Sequence, residues 1–557
     1  MHILLIASAF NSLTQRVFAE LTDRRYRLAV EPVRDDASVR EAVRRHHPEL
    51  VIAPMLTTAI PEDVWSAYTC LIVHPGPPGD RGPSSLDWAL QEGHRRWGVT
   101  VLQAEAEMDG GPVWASVPFP VPQVGKSDLY RGEAADAAVE AVLLAVDRFA
   151  SRTFAPWTQS ADVRLEHGAR PYLRQDLRRI DWSSDSTETV LRKLRAADSQ
   201  PGVLDTFLGG EWYLHGGYPE DRLRGRPGDV LATRDGAICR ATVDGAVWIP
   251  QVRPKRRPGG PKTFKLPAVH ALGDRQTHIP ELPFPLWPPA RHRTWAEIRY
   301  DEDGTVGFLR FTFPGGAMST DQCRRLLAAY RFACSRPTDL LVLGGTRDFF
   351  SNGIHLGVIE AAADPAAESW ANIQAMDDLV EAILTTTDRL VVSALGGNAA
   401  AGGLMLALAA DEVWCRAGSV LNPHYRLMGL YGSEYWTYTL PRRVGAAEAE
   451  RLTGEALPVS AACAQRIGLV DHVLSCGPED FGDEVARRAA RLASSARLHA
   501  RVGEKKATRG RDEAAKPLRA YREEELARMW RTFFSPEASY HALRTAFVRK
   551  ERVGGTP

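Results

Sequence analysis

A histidine and an aspartate near the start of the chain stand in positions suited to proton transfer. His74 follows the apolar residues Leu-Ile-Val and opens the segment HPGPPGDRG, and Asp109 lies in a glycine-rich turn. A histidine held by a carboxylate can act as general base and then as general acid. No serine or cysteine in the turn after His74 is an obvious nucleophile, which favours a nucleophile supplied by a second molecule. The spacing also fits a solvent-facing histidine beside an unrelated aspartate.

Two glycine-rich segments later in the chain could bind a negatively charged oxygen. TRDFFSNGIHLGVIE (346–360) and LVVSALGGNAAAGGLMLALAADEVW (390–414) place glycine where a strand gives way to a helix. Backbone N–H groups exposed at such junctions can donate to an oxyanion. Glycine turns between strands and helices are also common without any such role, so the pattern alone leaves both interpretations open.

The elements around His74 predict a parallel sheet. The runs HILLIAS, YRLAVEPV, PELVIAPM and CLIVH alternate with helix-like segments, an order typical of a doubly wound α/β domain. Ligands bind beyond the carboxyl ends of the strands in such sheets, and His74 lies at the C-terminal end of its strand. GVTVLQAEAEMDGGPVW then predicts a pair of strands around the turn at Asp109.

The remainder of the chain predicts three further parts. Short strands between Gly/Asp turns up to residue 253 indicate a small β-barrel, and the nine prolines in 254–290 indicate an extended linker. A second α/β region and a charged helical tail follow. The expected fold class is α/β multidomain, with domains at 1–160, 161–253 and 291–557 and the linker at 254–290.

The composition excludes several classes of function. Lys and Arg together number 69, as do Asp and Glu, so the zero formal net charge predicts no attraction to nucleic acid or to anionic membranes. The most apolar stretch is interrupted by glycine and polar residues, unlike a membrane span, and MHILLIASAF lacks the basic start of an export signal. Seven dispersed cysteines argue against a disulfide framework and a zinc site. We therefore expect no metal and a cytoplasmic location.

Up to residue 253 the sequence resembles the folate-dependent formyltransferases. HPGPPGDRG and EMDGGPVW match that family's motifs, and ARPYLRQDLRRIDWSS with the following strands resembles its C-terminal barrel domain. The resemblance implies that His74 and Asp109 are catalytic and that 10-formyltetrahydrofolate is the formyl donor. VIAPMLTTAIPEDVW resembles the segment that lines the pterin pocket, which implies contacts from Met55, Leu56 and Ile60.

One departure from the formyltransferases affects the chemistry. The asparagine that the family places two residues before the histidine, where it helps to hold the developing oxyanion, is Ile72 here. Such a donor contributes about 3–4 kcal/mol at a typical site. Either another group substitutes for it, or the acceptor needs less help. A thiol fits the second option, because a small fraction of it is already thiolate at neutral pH.

The second α/β region resembles the crotonase (enoyl-CoA hydratase/isomerase) superfamily. FSNGIHL matches the signature F-x-x-G-x-D-[LI], and VSALGGNAAAGGLMLALAAD matches the glycine-rich segment. The resemblance implies that the backbone N–H groups of Ile354 and Gly402 form an oxyanion hole for a coenzyme A thioester. Basic residues near the C-terminus often bind the nucleotide phosphates in this superfamily, so Arg544, Arg549 and Lys550 are candidate contacts to coenzyme A.

The carboxylates of the hydratases are missing from this region. Their two glutamates are replaced by Met405 and Tyr425, and the signature aspartate by His355. Hydration of a double bond by the usual route is therefore not expected. Tyr425 and Glu434 remain as polar candidates for proton transfer, although Tyr425 could equally be a core tyrosine whose hydroxyl is satisfied by the backbone.

A formyltransferase followed by a crotonase-like domain resembles a family of nickel–iron hydrogenase maturation factors over essentially the whole chain. That resemblance implies formyl transfer from 10-formyltetrahydrofolate to coenzyme A, and decarbonylation of formyl-CoA to carbon monoxide for the hydrogenase iron. An immature hydrogenase or another maturation factor is the implied protein partner.

Two other functions remain open at this stage. Formyl transfer could be coupled to hydrolysis of formyl-CoA to formate, or the protein could be a non-enzymatic scaffold that binds folate and coenzyme A. Ile72 and Met405 favour the scaffold, because each removes a catalytic group of its family. A stand-alone tRNA or nucleotide formyltransferase would leave the second α/β region without a task.

Overall fold

The computed structural model describes residues 1–159, 169–288 and 292–551. The chain divides into two compact units, Met1–Asp205 with His215–Gly217 and Thr206–Leu214 with Tyr218–Pro557. The predicted domain boundary at 160/161 and the end of the predicted linker at 290 lie outside the described residues. Across the described part of the chain, no helix combines the length and the apolar character needed to cross a membrane.

The first unit is built on one sheet. Its strands are β1 (His2–Ala7), β2 (Arg27–Pro32), β3 (Leu50–Met55), β4 (Cys70–His74), β5 (Arg96–Gln103) and β6 (Val113–Pro120). Its helices are α1 (Ser12–Asp23), α2 (Asp36–His46), α3 (Glu62–Trp65), α4 (Ser85–Gln91), α5 (Lys126–Arg131), α6 (Glu133–Ser151), α7 (Gln175–Arg178) and α8 (Thr187–Ala197).

The strand order is β2-β1-β3-β4-β5-β6. The first four strands are parallel to one another, and β5 is antiparallel to both of its neighbours, β4 and β6. Alternate residues of β4 point to opposite faces, so Leu71 and Val73 join one apolar cluster and Cys70 and Ile72 the other. A core on both faces confirms the predicted doubly wound sheet. The predicted strand pair around Asp109 is confirmed as β5 and β6.

The predicted barrel region contains short strands in two sheets. They are β7 (Val203–Phe207), β8 (Gly210–His215), β9 (Tyr218–Glu220), β10 (Val230–Arg234), β11 (Ala237–Ala241), β12 (Ala246–Ile249), β13 (Gln251–Pro254) and β14 (Leu266–Pro267). The sheet orders are β10-β11-β12-β9 and β14-β13-β8-β7. Among the described residues no ladder joins these two sheets into one closed barrel.

The proline-rich segment after β13 is more ordered than an extended linker. It contains β14, which pairs with β13, and the helix α9 (Ala268–Leu272). Leu266, Ala268 and Leu272 are buried. Apolar residues spaced between the prolines therefore attach the first part of this segment to the adjacent sheet.

The second α/β region carries a six-stranded and a three-stranded sheet. The strands are β15 (Ile298–Asp303), β16 (Val306–Phe311), β17 (Leu340–Gly344), β18 (Leu390–Leu395), β19 (Ala399–Ala400), β20 (Glu412–Arg416), β21 (Val420–Asn422), β22 (Val459–Ser460) and β23 (His472–Leu474). The large sheet runs β15-β16-β17-β18-β20-β23, and only β15 is antiparallel to its neighbour within the described residues. The small sheet is β19-β21-β22.

Helices cover these sheets and form the C-terminal tail. They are α10 (Thr320–Cys334), α11 (Leu356–Ala361), α12 (Pro365–Thr385), α13 (Gly402–Leu408), α14 (Trp436–Val444), α15 (Ala446–Glu455), α16 (Ala461–Arg466), α17 (Phe481–Ala493), α18 (Leu498–Ala515), α19 (Leu518–Phe534) and α20 (Tyr540–Arg549). The helical tail predicted from the sequence is confirmed. All seven cysteines of the chain are free thiols.

Candidate active sites

His74 is enclosed at the end of β4 and lies between two carboxylates. It is 4% exposed, and its Nε2 lies 2.9 Å from Oδ2 of Asp80. Its Nδ1 lies 3.5 Å from Oδ1 of Asp109. The structure thus brings together the two residues paired by the sequence analysis. It also adds Asp80, a closer and fully enclosed carboxylate that the sequence analysis did not single out.

The turn after β4 needs glycine at position 76 to make the contact between His74 and Asp80. A Cβ on Gly76 would overlap both Asp80 Oδ2 and His74 Nε2. The carbonyl of Gly76 accepts a hydrogen bond of 2.8 Å from the buried Thr100 hydroxyl. The glycine in HPGPPGD therefore allows the chain to fold back on the histidine, and it is the sequence signal by which Asp80 could have been found.

Asp109 is held in place by its own turn and by one distant side chain. Its backbone is left-handed (φ 54°), and its Oδ2 accepts a hydrogen bond of 3.1 Å from Gly82 N–H. The Gln159 amide donates to the carbonyls of Asp109 and Gly111 and accepts from Gly79 N–H. Gln159 therefore ties the Asp109 turn to the turn that follows His74.

The residues predicted to contact folate line the same face of the sheet as His74. Met55 ends β3, Ile60 is buried, and Leu56 packs against the apolar cluster that contains Ile60. Ile72 packs against that cluster too, two residues before His74 on β4. An apolar side chain thus occupies the position of the formyltransferase asparagine and offers no hydrogen bond. The folate contacts stay a prediction.

The N–H groups of Ile354 and Gly402 lie at neighbouring points of two glycine-rich turns. Gly353 has φ 80°, and a Cβ there would be 3.1 Å from Gly402 N. Gly402 is the first residue of α13, where the N–H has no partner within the helix. In the described part of the chain, Ile354 N–H makes no backbone hydrogen bond, because its neighbours bond to Met318 instead. This arrangement suits an oxyanion hole.

Tyr425 and Glu434 form a buried pair next to these donors. The Tyr425 hydroxyl donates to Glu434 Oε2 at 2.7 Å, and a Cβ on Gly402 would overlap Glu434 Oε1. The hydroxyl therefore has a carboxylate as its partner and not a backbone oxygen. Burial raises the pKa of Glu434 above its ordinary value and raises the pKa of Tyr425 strongly. The pair can hold and exchange a proton within a dry site.

Two further buried carboxylates hold the backbone that carries Glu434. Glu434 and Tyr435 both have left-handed backbones (φ 61° and 57°). Asp377 Oδ1 accepts from Glu434 N–H at 2.8 Å, and Glu525 Oε2 accepts from Tyr435 N–H at 2.9 Å. Glu525 also accepts from Thr437 N–H at 2.8 Å. The sequence analysis missed both acids, which come from α12 and α19.

Two positions that carry acids in the hydratases hold uncharged side chains here. Met405 is fully buried in the apolar core of the second α/β region. His355 is buried, its Nδ1 accepts from Val358 N–H at the start of α11, and burial lowers its pKa to about 4. His355 is therefore a neutral helix cap. Of the three family carboxylates whose loss the sequence predicts, those replaced by Met405 and His355 leave no ionised group in their place.

Two of the three basic residues predicted to contact coenzyme A, Arg544 and Arg549, are paired with a carboxylate of the protein. Arg544 Nε and Arg549 Nε each lie 3.0 Å from an oxygen of Glu360. The carbonyl of Lys550 accepts from Lys262, and burial lowers the pKa of the Lys550 amine. These contacts give the two arginines a structural role that joins α20 to α11. Phosphate binding by the three residues stays a prediction.

The fold and the two sites define the class of protein: a formyltransferase module joined in one chain to a crotonase module. Family models agree with both halves. The formyl transferase model matches residues 13–146, and the formyl transferase C-terminal domain model matches 173–264. The enoyl-CoA hydratase/isomerase model matches 326–552.

Relatives with both modules extend over the full chain. A hydrogenase maturation factor HoxX of Bradyrhizobium diazoefficiens is 49% identical, over 100% of this chain and 96% of its own length. The crystal structure of HypX from Aquifex aeolicus in complex with tetrahydrofolic acid has a TM-score of 0.95 and 44% identity, covering 100% of this chain and 97% of that chain. A methionyl-tRNA formyltransferase of Syntrophus aciditrophicus is 24% identical and covers only 40% of this chain, with 71% of its own length matched. The chain belongs to the HoxX/HypX family of hydrogenase maturation factors.

Proposed function

We propose that this protein makes carbon monoxide for the maturation of nickel–iron hydrogenase. The first site transfers a formyl group from 10-formyltetrahydrofolate to the thiol of coenzyme A, and the second decarbonylates formyl-CoA. The observation that carries the proposal is the buried Tyr425–Glu434 pair beside the N–H groups of Ile354 and Gly402. The tetrahydrofolic acid bound to HypX of Aquifex aeolicus supports the formyl donor.

Formyl transfer belongs to the His74 site of the first unit. The thiol sulfur bonds to the formyl carbon, and the C–N bond to the folate breaks. The imidazole and its carboxylates, Asp80 and Asp109, receive the thiol proton and return it to the departing nitrogen. Ile72 donates no hydrogen bond to the oxyanion. A thiol acceptor tolerates this loss better than an amine acceptor does, because a thiolate is the stronger nucleophile.

The chemistry of the second site follows from the substrate. A formyl thioester has no α-carbon, so it can form neither an enolate nor a double bond to hydrate. The carboxylates that Met405 and His355 replace would therefore have no task. What remains useful is the oxyanion hole, where the N–H groups of Ile354 and Gly402 polarise the formyl C=O.

Decarbonylation needs one base and no other reactant. Glu434 removes the formyl proton, the C–H electron pair stays on carbon, and the C–S bond breaks with its electrons on sulfur. The products are carbon monoxide and the thiolate of coenzyme A, which takes the proton back. A pKa raised by burial suits a carboxyl that must take up a proton and release it again. Tyr425 remains a neutral donor that orients this carboxylate.

The test is anaerobic incubation of the purified protein with 10-formyltetrahydrofolate and deoxyhaemoglobin, with and without coenzyme A. We expect a carboxyhaemoglobin spectrum that grows with time only when coenzyme A is present. Formate in place of carbon monoxide would support the coupled hydrolase. No turnover of the folate would support the non-enzymatic scaffold, and either result would overturn the proposal. An immature hydrogenase is the proposed recipient.

A further inference from the structure

Asp80 is placed to do more than orient His74. A neutral imidazole has one N–H donor and one lone pair, yet a carboxylate faces each ring nitrogen of His74. The nearer one belongs to Asp80, at 2.9 Å, and the farther one to Asp109, at 3.5 Å. The short contact is explained by an N–H on Nε2 that donates to Oδ2 of Asp80. Nε2 therefore carries a proton and cannot act as the base.

The second oxygen of Asp80 has no partner of its own. Oδ1 is buried and makes no hydrogen bond to any of the described residues, while Oδ2 receives His74. The neighbouring Arg81 does not neutralise the carboxylate, because its guanidinium pairs with Glu107. A buried carboxylate oxygen without a donor is unfavourable in the free protein.

We propose that Asp80 is a catalytic residue of the first site and that its Oδ1 accepts the proton of the incoming thiol. This inference rests on the proposed function and names the base for its first step. The S–H bond breaks as the S–C bond forms, and the proton makes an O–H bond on Oδ1. When the C–N bond breaks, that proton passes to the folate nitrogen, so Asp80 is a carboxylate again. His74 keeps its own proton and holds Oδ2.

The position of Asp80 fits this role better than the position of Asp109 does. Asp109 lies in a turn whose Oδ2 already accepts from Gly82 N–H, and its Oδ1 faces His74. Oδ2 of Asp109 therefore has a donor within the protein, and its Oδ1 lies 3.5 Å from Nδ1 of His74. Asp80 has one oxygen left over, and Gly76 leaves the room in which its other oxygen, Oδ2, meets His74.

The first test is Asp80→Asn, assayed for formyl-CoA from 10-formyltetrahydrofolate and coenzyme A. The amide oxygen of asparagine still accepts from His74 but cannot take up a proton. We expect kcat to fall about 100-fold or more, the usual contribution of a general base, with the Kd for tetrahydrofolate unchanged. Glu105→Gln, a change at an exposed acid in the loop between β5 and β6, is the control and retains wild-type turnover.

The second test separates proton transfer from positioning. A coenzyme A analogue with a more acidic thiol arrives largely as thiolate and needs no base. Asp80→Asn should lose at least about tenfold less activity with this analogue than with coenzyme A, because the base is bypassed and only the return of a proton to the folate nitrogen stays impaired. Equal slowing with both acceptors would make Asp80 a positioning residue and overturn the inference.

The outcomes for the inference and for the proposed function are distinct. Wild-type protein that forms no formyl-CoA overturns the proposed function and this inference with it. Wild-type turnover together with undiminished turnover by Asp80→Asn overturns the inference alone.

Discussion

At the scale of single residues, an added methyl group at Gly402 would disturb the second site directly. Its missing Cβ leaves the space that Glu434 Oε1 occupies, and its N–H is one of the two proposed oxyanion donors. Gly402→Ala must therefore displace the carboxylate from the reacting group. We expect carbon monoxide formation to fall about 100-fold, the effect of a misplacement of roughly 1 Å, while formyl-CoA accumulates.

The matched control for this substitution is Gly454→Ala. Gly454 lies in α15, and a Cβ there meets no atom within 4 Å. This variant should keep wild-type rates and be slightly more stable, because alanine is the better helix former. An equal loss of activity in both variants would contradict the role given to Gly402.

The residues that the sequence identified are those with a family motif around them. His74, Asp109, Tyr425 and Glu434 all lie in or near such motifs, and the structure brings them together in two pairs. Asp80 was missed because Gly76 signals a tight turn after His74 but does not say which side chain of that turn folds back on the histidine.

The acids behind Glu434 could not be found from spacing at all. Asp377 and Glu525 lie 57 and 90 residues away from their backbone partners. Each is a charged residue on a helix that otherwise packs an apolar face. That pattern marks a buried acid only after the packing of α12 and α19 is known.

At the scale of elements, the start of α13 carries backbone strain. Ala401 precedes the helix with φ 47° and ψ −130°, a region that glycine enters freely and alanine does not. Ala401→Gly should therefore raise the stability of the protein by about 1 kcal/mol, seen as a higher Tm. Strain at this point fixes the direction of the Gly402 N–H.

The same substitution in a relaxed helix should act in the opposite direction. Ala507 is exposed within α18, and Ala507→Gly should lower stability by about 0.5–1 kcal/mol. A fall in Tm for both variants would show that Ala401 is not strained.

The connection between α19 and the start of α14 should respond to pH. Burial raises the pKa of Glu525 from 4.5 to about 7. The folded state therefore favours the protonated acid, so its contribution is fully present below pH 4.5 and is lost as the pH rises through about 7. The loss is at most about 3 kcal/mol. We expect the Tm of the wild type to fall from pH 5 to pH 8 relative to that of Glu525→Gln.

Glu523→Gln serves as the control for this pH dependence. Glu523 lies on the same helix, is exposed, and pairs only with Arg519 among the described residues. Its variant should keep the wild-type dependence of Tm on pH. Parallel Tm curves for the wild type and Glu525→Gln would assign the pH dependence to another group.

At the scale of the whole molecule, the two sites should fail separately. His74→Ala should stop the formation of formyl-CoA, by at least about 100-fold, and still degrade formyl-CoA that is supplied. Tyr425→Phe and Glu434→Gln should do the reverse, so that formyl-CoA accumulates. Chromatographic assay of formyl-CoA with each substrate measures both steps. Loss of the same step in all three variants would contradict the two-site scheme.

The sequence predicted the two large sheets better than the short strands between them. The six-stranded sheets rest on long apolar runs such as β1, which is buried after its first residue, and β18, which is buried throughout; both are recognisable from composition. The region of β7 to β14 was harder, because strands of two to six residues carry too few positions to fix their partners. The many prolines in the segment after β13 likewise predicted an extended linker, although the segment contains the strand β14 and the helix α9.

Under the proposed function, the protein must keep its own thiols from accepting the formyl group. Cys70 opens β4, four residues before His74, and is fully buried. Burial raises its pKa to about 12, and the pKa of buried Cys415 rises likewise to about 12, so both stay protonated and poorly nucleophilic. Burial within the sheet that positions the first site thereby protects the Cys70 thiol from acylation. If formyl transfer to a carrier thiol is as proposed, its selectivity then depends partly on the core, which decides which sulfur atoms water can reach.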